Sequence, residues 1–486
     1  MAARSGAVDL ERADAPVLLE QRNDPLEVLP VAPAETAARE IDHRNPHRPP
    51  PLRPGEAVST LGLGESETAS GAHRKLRVLI VTQYFWPESF RITDLAVALR
   101  QRGHEVVVLT GLPNYPYGRL FAGYGLRGPW SETFHDVPIV RVPLIPRGSG
   151  KGWRLAVNFA SFAASATTLG LPRVARGFDV AFVYEVSPIT VALPAIALRR
   201  LRGVPVVLWV QDLWPDNVSA TGAVHSRHLL RSITWLTRWI YARCDRVLAQ
   251  SHAFLPGLEA QGVPRDRLSY LPNWAESLYR PVEPEPDAAE RTTLPQGFRV
   301  LFAGNIGVSQ DFGTILSAAE RLRDHPDIHW VILGDGRMKT WVEQEVTKRG
   351  LSGVVHLLGQ HPVEAMPTYF ALADALLISL RQDVLYSMVV PSKLQSYMAC
   401  AKPVIAALDG EAARIIRESG GGVAVRAEDP DALADAVLRL YRTSPEECRE
   451  MGRRNRRYFE EHFERDRLIG ELERVLHDVA DRAVTA

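Results

Sequence analysis

Cysteine is scarce: among 486 residues there are three, Cys244, Cys400 and Cys448. An odd number of widely spaced cysteines makes neither a disulfide framework nor a zinc knuckle, and this usage suits a reducing cytoplasm. Net charge is missing too. Lys plus Arg and Asp plus Glu each total 57, so no overall field draws the chain to nucleic acid, and any basic patch is local. No run stays apolar long enough to read as a bilayer span. The best stretch, Leu155 to Leu171, carries no charge, but Asn158, Ser161, Ser165, Thr167 and Thr168 interrupt it, and a span needs about 20 strongly apolar residues. Near Met1, Glu11, Arg12 and Asp14 fall where a signal peptide would place its apolar core, so the chain is expected to stay inside the cell. Residues 1–74 lack a sustained apolar period and contain Pro46, Pro49, Pro50, Pro51 and Pro54, which predicts a disordered tail.

What remains is an ordinary globular composition, 46% hydrophobic and long enough for two or three domains with separate cores. Lys75 to Thr82 is a β-branched run suited to a buried parallel strand. A turn at Trp86-Pro87-Glu88 follows, and then Ile92, Leu95, Ala96 and Leu99 share a helical face that ends at Gly103. The strand Glu105 to Thr110 completes a β-α-β unit. Asp179 to Tyr184 and Val204 to Val210 read as further buried strands, ending at Glu185 and at Gln211 and Asp212, where doubly wound sheets place ligands. There Asp212 can orient a hydroxyl or take its proton; alternatively it caps the next helix. Two segments can lie on a surface: Leu155 to Leu171, flanked by Lys151, Arg154, Arg173 and Arg176, and the series Arg227, Arg231, Arg238 and Arg243 interleaved with Leu229, Trp235 and Trp239. Each fits a buried or solvated helix, or one whose arginines meet anionic headgroups.

Pro281, Pro284 and Pro286 mark a linker. A second set of strands then begins at Phe298 and ends in turn at Gly304-Asn305, at Gly334-Asp335-Gly336, at Gly359 and at Ser379. Several small or polar strand ends in register form an edge suited to phosphate and sugar. The spelling Asp429-Pro430-Asp431 reads as a capped helix start, with no metal. Between these strands lies Val390 to Ala406, in which Pro391 is placed to open a helix, Ser392 to cap it and Pro403 to stop it. Free N–H groups at such a start, with the ammonium of Lys393, suit a diphosphate without a metal ion. Gln395, less than a turn on, has an amide suited to the paired hydroxyls of a ribose. The same residues also fit an ordinary amphipathic helix with Lys393 in solvent.

Pro391-Ser392-Lys393, Gln395, Tyr397-Met398-Ala399 and Lys402-Pro403-Val404 resemble the donor-nucleotide helix of the family-4 (group 1) glycosyltransferases. Gln83 to Glu88 with Arg91, Gly111 to Tyr115, and Asp212-Leu213-Trp214-Pro215-Asp216 resemble its O-antigen and colanic-acid fucosamine-transferase-like branch. The resemblance implies an α/β chain of GT-B type, with two facing Rossmann-like domains of parallel strands and a cleft between them. After the tail at 1–74 it places an acceptor-side domain at 75–285, a nucleotide-sugar domain at 286–460 and a helix at 461–486 that crosses back to the first domain.

The reaction implied is transfer of a sugar, such as an N-acetylated aminodeoxyhexose, with retention. The donor is a nucleotide-sugar, UDP first, and the acceptor is lipid-linked or a saccharide in surface polysaccharide synthesis. It takes place in the cytoplasm, either free or at the inner face of the cell membrane, without metal or other cofactor. Asp212, Lys393 and Glu88 take the catalytic places, and Gly304, Asn305, Gln310, Gly334, Asp335, Gly336, Pro391, Ser392 and Gln395 the donor site. Arg91 and Arg381 position sugar or phosphate. Ser387 and Gln395 stand where many relatives carry two glutamates, and Asn305 and Gln310 where an Arg and a Lys pair with the diphosphate. These departures keep two alternatives open: a nucleotide-sugar epimerase of the same fold, or a non-catalytic binding subunit of a polysaccharide assembly complex.

Overall fold

The computed structural model describes residues 74–148, 152–215 and 226–485. The tail expected at the amino terminus, up to residue 73, lies outside the described residues, as do Lys151 and Asp216, the last residue of the Asp-Leu-Trp-Pro-Asp motif. The strands gather into two sheets. The first runs in the order β3-β4-β2-β1-β5-β6-β7-β8, built from β1 (Arg77–Val81), β2 (Glu105–Gly111), β3 (Ser131–Phe134), β4 (Val137–Val142), β5 (Val180–Glu185), β6 (Val206–Val210), β7 (Arg246–Ala249) and β8 (Leu268–Tyr270). All its pairings are parallel except β3 with β4. The second is wholly parallel, ordered β11-β10-β9-β12-β13-β14, from β9 (Phe298–Ala303), β10 (Ile328–Leu333), β11 (Val355–Gly359), β12 (Ala375–Ser379), β13 (Val404–Ala407) and β14 (Gly422–Val425).

The unbroken apolar runs follow from burial on both faces of each sheet. In β1, Val78 and Ile80 enter one core cluster with Ile92, Leu95 and Leu99 of helix α1 (Arg91–Gln101), while Leu79 and Val81 enter the cluster on the other face. In β9, Val300 and Phe302 divide from Leu301 and Ala303 in the same way. Each such side chain contributes about 1.5–3 kcal/mol on burial, so the strands at the middle of each sheet are its most strongly held parts. Their carboxyl ends carry the loops of the candidate site.

Helix α2 (Gly152–Ser165) runs on through a π-helical turn, Ala166–Gly170, into Leu171–Arg173. The whole is 22 residues, long and apolar enough to cross a bilayer by length and composition. It is thus longer than the uncharged run suggested. Phe162, Ala163, Ala166 and Leu171 are buried, however, and three of them, Phe162, Ala166 and Leu171, join the core of the first sheet. Trp153, on the outer side, is 65% exposed. Helix α3 (Arg227–Tyr241) likewise buries Thr237, Ile240 and Tyr241 and leaves Trp235 65% exposed.

Helix α4 (Ser392–Ala399) and helix α5 (Pro430–Arg442) belong to the second sheet, whereas α6 (Arg465–Thr485) packs Leu468, Ile469, Leu472 and Leu476 into the β1 core of the first. Arg465 holds it there through two bonds to Asp94, 2.8 and 2.7 Å, and Asp94 also accepts Trp274 Nε1 at 2.9 Å.

Candidate active site

The loops after β9 and β10 pack so closely that only glycine fits. Gly304 has φ +138°, and a Cβ there would lie 2.3 Å from Lys393 Cε. Lys393 therefore lies flat across Gly304, with Nζ 4.4 Å from the ring centroid of Phe302. Gly334 has φ +140°, and its Cβ would stand 1.9 Å from the Gly304 carbonyl oxygen. Ile306 N–H donates to Asp335 O at 2.7 Å, and Asp335 Oδ1 accepts Gly336 N–H at 2.7 Å. Gly304, Asn305, Gly334, Asp335, Gly336 and Lys393 thus converge at one sheet edge. Gly334→Ala forces a left-handed backbone and a main-chain collision together. Its melting temperature is expected to fall by an amount equivalent to about 2–4 kcal/mol, and a melt within a degree of wild type would contradict this packing.

Gln310 turns inward: its Oε1 accepts the Gly307 N–H at 3.1 Å and closes the β9 loop. Arg381 donates its own N–H to Ser309 O at 2.9 Å while its guanidinium pairs with Glu428 at 3.4 Å. Ser387 meets the next loop, since a Cβ on Gly410 would lie 1.9 Å from its carbonyl oxygen.

Three expectations need correction. The first concerns the cap of α4: Pro391, at φ −64° and ψ 136°, takes the N-cap position, and Ser392 is the first helical residue, with no side-chain cap bond. Secondly, Gln395 is 1% exposed and donates Nε2 to the main-chain oxygen of Asn273 at 2.6 Å, across to the first half of the chain. Its amide is enclosed as a bridge, not presented to a ribose, although Oε1 is without a partner. From Asn273 the bridge continues through Nδ2 to Gln211 Oε1 at 2.9 Å and Gln250 Oε1 at 3.4 Å.

The third is Glu88. It is 3% exposed, and its carboxylate accepts N–H bonds from Phe85, Asn114 and Tyr115 at 3.2, 2.8 and 2.7 Å. Those bonds tie the loop after β1 to the loop after β2, which leaves Glu88 a holder of loops, not a group that touches substrate. Burial pushes its carboxyl up to about 7, against the pull of those donors. A folded value above the unfolded one means the native state keeps its proton longer. The contribution is whole below the ordinary carboxyl range and is lost as pH rises to about 7. Glu88→Gln is expected to remove about one proton, roughly 1.4 kcal/mol per pH unit, from the slope of stability against pH in that window. Melts of both proteins across it measure this, and an unchanged slope would refute it.

Arg91 is also buried, lying 3.6 Å from Glu276 through Nη2 and 5.7 Å over the Trp274 ring; Nη1 is without a partner. Asp212 follows β6, partly exposed, and takes a hydrogen bond from the Ser187 hydroxyl; low-dielectric surroundings push it up to about 7. Beside it is a residue that sequence reasoning marked only as a strand end. Glu185 closes β5 in register with Val210 and is 0% exposed; burial, then the like charge of Asp212, push its carboxyl well up. The available signal was an acid ending an otherwise wholly apolar strand.

Among the described residues one cluster has metal-ligating atoms close together, His104, Glu473 and His477, within 4.8 Å of one another. His104 Nδ1 accepts the Leu76 N–H at 3.2 Å, so the ring carries its proton on Nε2, 2.7 Å from Glu473. That nitrogen is a donor without a lone pair for a cation, and Arg102 takes the other Glu473 oxygen at 3.1 Å. The cluster fastens α6 and does not fit a metal. Asp429 accepts Ala432 N–H at 2.9 Å as the cap of α5, and Asp431 pairs with Arg321.

Two sheets, one wholly parallel and one parallel but for β3, with glycine-lined strand ends and a lysine at a helix start, define a glycosyltransferase of GT-B architecture. Residues 89–274 match the Glycosyl transferase 4-like domain and residues 297–443 match Glycosyl transferases group 1. The chain belongs to the family-4 (group 1) glycosyltransferases and is an enzyme of hexosyltransferase type. It is 27% identical over 313 residues to a protein of Escherichia coli K12 described as the colanic acid biosynthesis glycosyl transferase WcaI, covering 62% of this chain and 74% of that one. A GDP-mannose-dependent alpha-mannosyltransferase of Mycobacterium tuberculosis is 26% identical over 379 residues, 75% of this chain and 88% of that one. Among solved structures, HepE of Anabaena in complex with UDP superposes with a TM-score of 0.61 at 13% identity, covering 83% of this chain and 100% of HepE, a likeness of fold.

Proposed function

We propose that the protein moves a sugar, with retention, from a UDP-sugar to a saccharide or polyprenyl-linked acceptor in polysaccharide synthesis, without metal or other cofactor. One observation carries this reading: Lys393 laid across Gly304 at the start of α4, beside the Gly334 to Gly336 loop. As the bond to the donor breaks, negative charge gathers on the leaving diphosphate, and a cation and N–H donors fixed there stabilise it more than the bound ground state. Asn305 and Asp335 flank the same edge, and Asp212, at the end of β6, takes the acceptor side. An N-acetylated aminodeoxyhexose remains the first donor sugar to try. The relative described as a colanic acid biosynthesis enzyme supports polysaccharide as the product.

GDP is the second reading, favoured by the mannosyltransferase relative. Thermal stabilisation by UDP, GDP and dTDP, with and without EDTA, tests both, because a ligand bound only by the folded state raises its melting point. Stabilisation by UDP that survives EDTA is expected. A shift with GDP alone selects the second reading, and no shift with any nucleotide overturns both in favour of a binding subunit. UDP-sugar conversion without an acceptor would mark an epimerase.

The outer sides of the helix 152–173 and of α3 fit an anionic bilayer surface. From Val137 through Phe178 the chain contains no Asp or Glu, while Arg147, Arg154, Arg173 and Arg176 lie in it, and Trp153, Leu169, Leu229 and Trp235 are exposed. Interfacial aromatics with cations bind such surfaces by burial plus headgroup attraction. Trp153→Ser with Arg154→Glu is expected to cut sedimentation with phosphatidylglycerol vesicles by about tenfold, roughly 1.4 kcal/mol of lost anchoring. Equal sedimentation of both proteins would dismiss the surface.

A further inference from the structure

We propose that Gln395 is a positioning residue of the transfer reaction: its side-chain hydrogen bond to Asn273 sets the register between the donor edge, where Lys393 lies, and the strand end that carries Asp212. The inference rests on the roles given to Lys393 and Asp212 above.

Helix α4 faces both halves of the chain. Lys393 and Tyr397, four residues apart, share one side of it. There Lys393 lies over Gly304 and the Tyr397 hydroxyl takes the Ala303 N–H at 3.0 Å, which fixes that side to the end of β9. Gln395, midway between them in sequence, points to the opposite side, where Nε2 donates to the Asn273 main-chain oxygen at 2.6 Å. Asn273 is itself firmly held. The next residue, Trp274, is buried, stacks on Trp209 of β6 with ring centroids 5.7 Å apart, and donates Nε1 to Asp94 of α1 at 2.9 Å. From Asn273 the side chain reaches on through Nδ2 to Gln211 Oε1 at 2.9 Å and Gln250 Oε1 at 3.4 Å, and Gln250 Nε2 meets the Gln211 main-chain oxygen at 3.4 Å. Gln211 directly precedes Asp212. An unbroken series of hydrogen bonds therefore runs from the helix of Lys393 to the neighbour of Asp212.

The bridge requires a donor at position 395. A carboxylate there would set an oxygen against the Asn273 carbonyl oxygen with no proton between them, and an apolar side chain would leave that carbonyl without its partner. Gln211, Gln250 and Gln395 are all buried, and Gln211 Nε2, Asn273 Oδ1 and Gln395 Oε1 have no partner. Each such atom costs stability that an apolar seam would keep. What the amides add is direction, because a hydrogen bond selects one distance and one angle, whereas apolar burial has no preferred direction. Transfer needs that alignment. The leaving diphosphate is held by one half and the acceptor hydroxyl by the other, and a misplacement of about 1 Å lowers a rate by about 10²-fold.

Gln395→Met keeps the volume and removes the donor. Turnover is read as UDP released from UDP-glucose or UDP-N-acetylglucosamine, or GDP released from GDP-mannose, whichever stabilises the fold. The kcat of this variant is expected to fall by about 10–100-fold while stabilisation by the nucleotide stays at its wild-type value, because Gly304, Gly334 and Lys393 all lie in the second half. An unchanged kcat overturns the proposal. Loss of nucleotide stabilisation along with kcat overturns it too, since that would make Gln395 a ligand of the nucleotide. Gln395→Glu supplies a pH readout. Burial raises the introduced carboxyl, which donates to Asn273 as the neutral acid and cannot do so as the ion, so the ratio of its kcat to that of wild type is expected to rise about tenfold as pH falls from about 8 to about 5.5. A ratio that stays low throughout overturns the proposal.

Alignment is read without turnover from the distance between spin labels on Leu201→Cys and Lys348→Cys, exposed positions in the first and second halves, in a Cys448→Ser background that leaves only the buried Cys244 and Cys400. Gln395→Met is expected to shift or broaden the distance distribution, and a distribution identical to that of the protein with Gln395 overturns the proposal. If Gln395→Met fails to fold, Gln395→Glu at about pH 8 takes its place, where the carboxyl is expected to be ionised. If no nucleotide stabilises the wild type, the transfer reading fails by itself, and the label distances still decide whether Gln395 aligns the halves.

Discussion

Lys393→Ala is expected to lower kcat/KM by about 10²–10³-fold, equivalent to roughly 2.7–4 kcal/mol of lost transition-state stabilisation. The size follows from how few other cations this edge has committed to the diphosphate. Asn305 and Gln310 are neutral, Gln310 Oε1 is occupied by the Gly307 N–H, and the Arg381 guanidinium is paired with Glu428. Lys393 is also pre-placed. Its stem lies against Gly304 and its ammonium against the Phe302 ring, so little reorganisation accompanies the arrival of charge. Removing it sacrifices a contact worth about 0.5–1 kcal/mol to the empty fold, so the melting point is expected to change little while stabilisation by nucleotide disappears. That separation distinguishes a binding defect from an unfolding one. A variant that still gains its full melting shift from UDP or GDP would remove Lys393 from the site.

Asp212→Asn is expected to act on a different quantity. If Asp212 takes the acceptor proton, kcat falls by about 10²–10⁴-fold while nucleotide stabilisation of the fold stays at its wild-type value. The pH profile supplies the sign. Asp212 accepts a proton only as carboxylate, and its surroundings push its value up to about 7, so wild-type turnover rises with pH through that region. The asparagine variant should lack this limb. Turnover within tenfold of wild type, with the limb intact, would assign the proton to another acceptor.

Much of the fold was legible because a parallel strand covered on both faces must be apolar throughout. Arg77–Val81, Val206–Val210 and Phe298–Ala303 announce themselves in this way. The antiparallel β3 was silent, as Ser131 to Phe134 alternates exposed and half-buried positions and has no apolar run. The short β14, Gly422–Val425, is apolar but only four residues long and half-buried, too brief to stand out as a strand. In the site, Gly304, Gly334 and Gly336 were readable from their position at strand ends, and Lys393 from its place at a helix start. Residue type alone did not reveal partners. Glu88 meets Asn114, 26 residues away, and Gln395 meets Asn273, 122 residues away, and in both cases those distant main-chain groups decide what the side chain does. The shift of the α4 cap from Ser392 to Pro391 is a matter of one extended ψ, which no spacing rule resolves.

The helix α6 ends the described chain on the sheet where it began, with Leu468, Ile469, Leu472 and Leu476 under β1 and Arg465 bonded to Asp94. The polypeptide therefore passes between the halves twice, once after Asn273 and again before Arg465. Two tethers deny the halves free rotation about a single strand of chain. No single cut yields two self-sufficient pieces either, because the last helix is the closing wall of the first half. A split version would need its final segment grafted onto the amino-terminal fragment before either part kept a complete core.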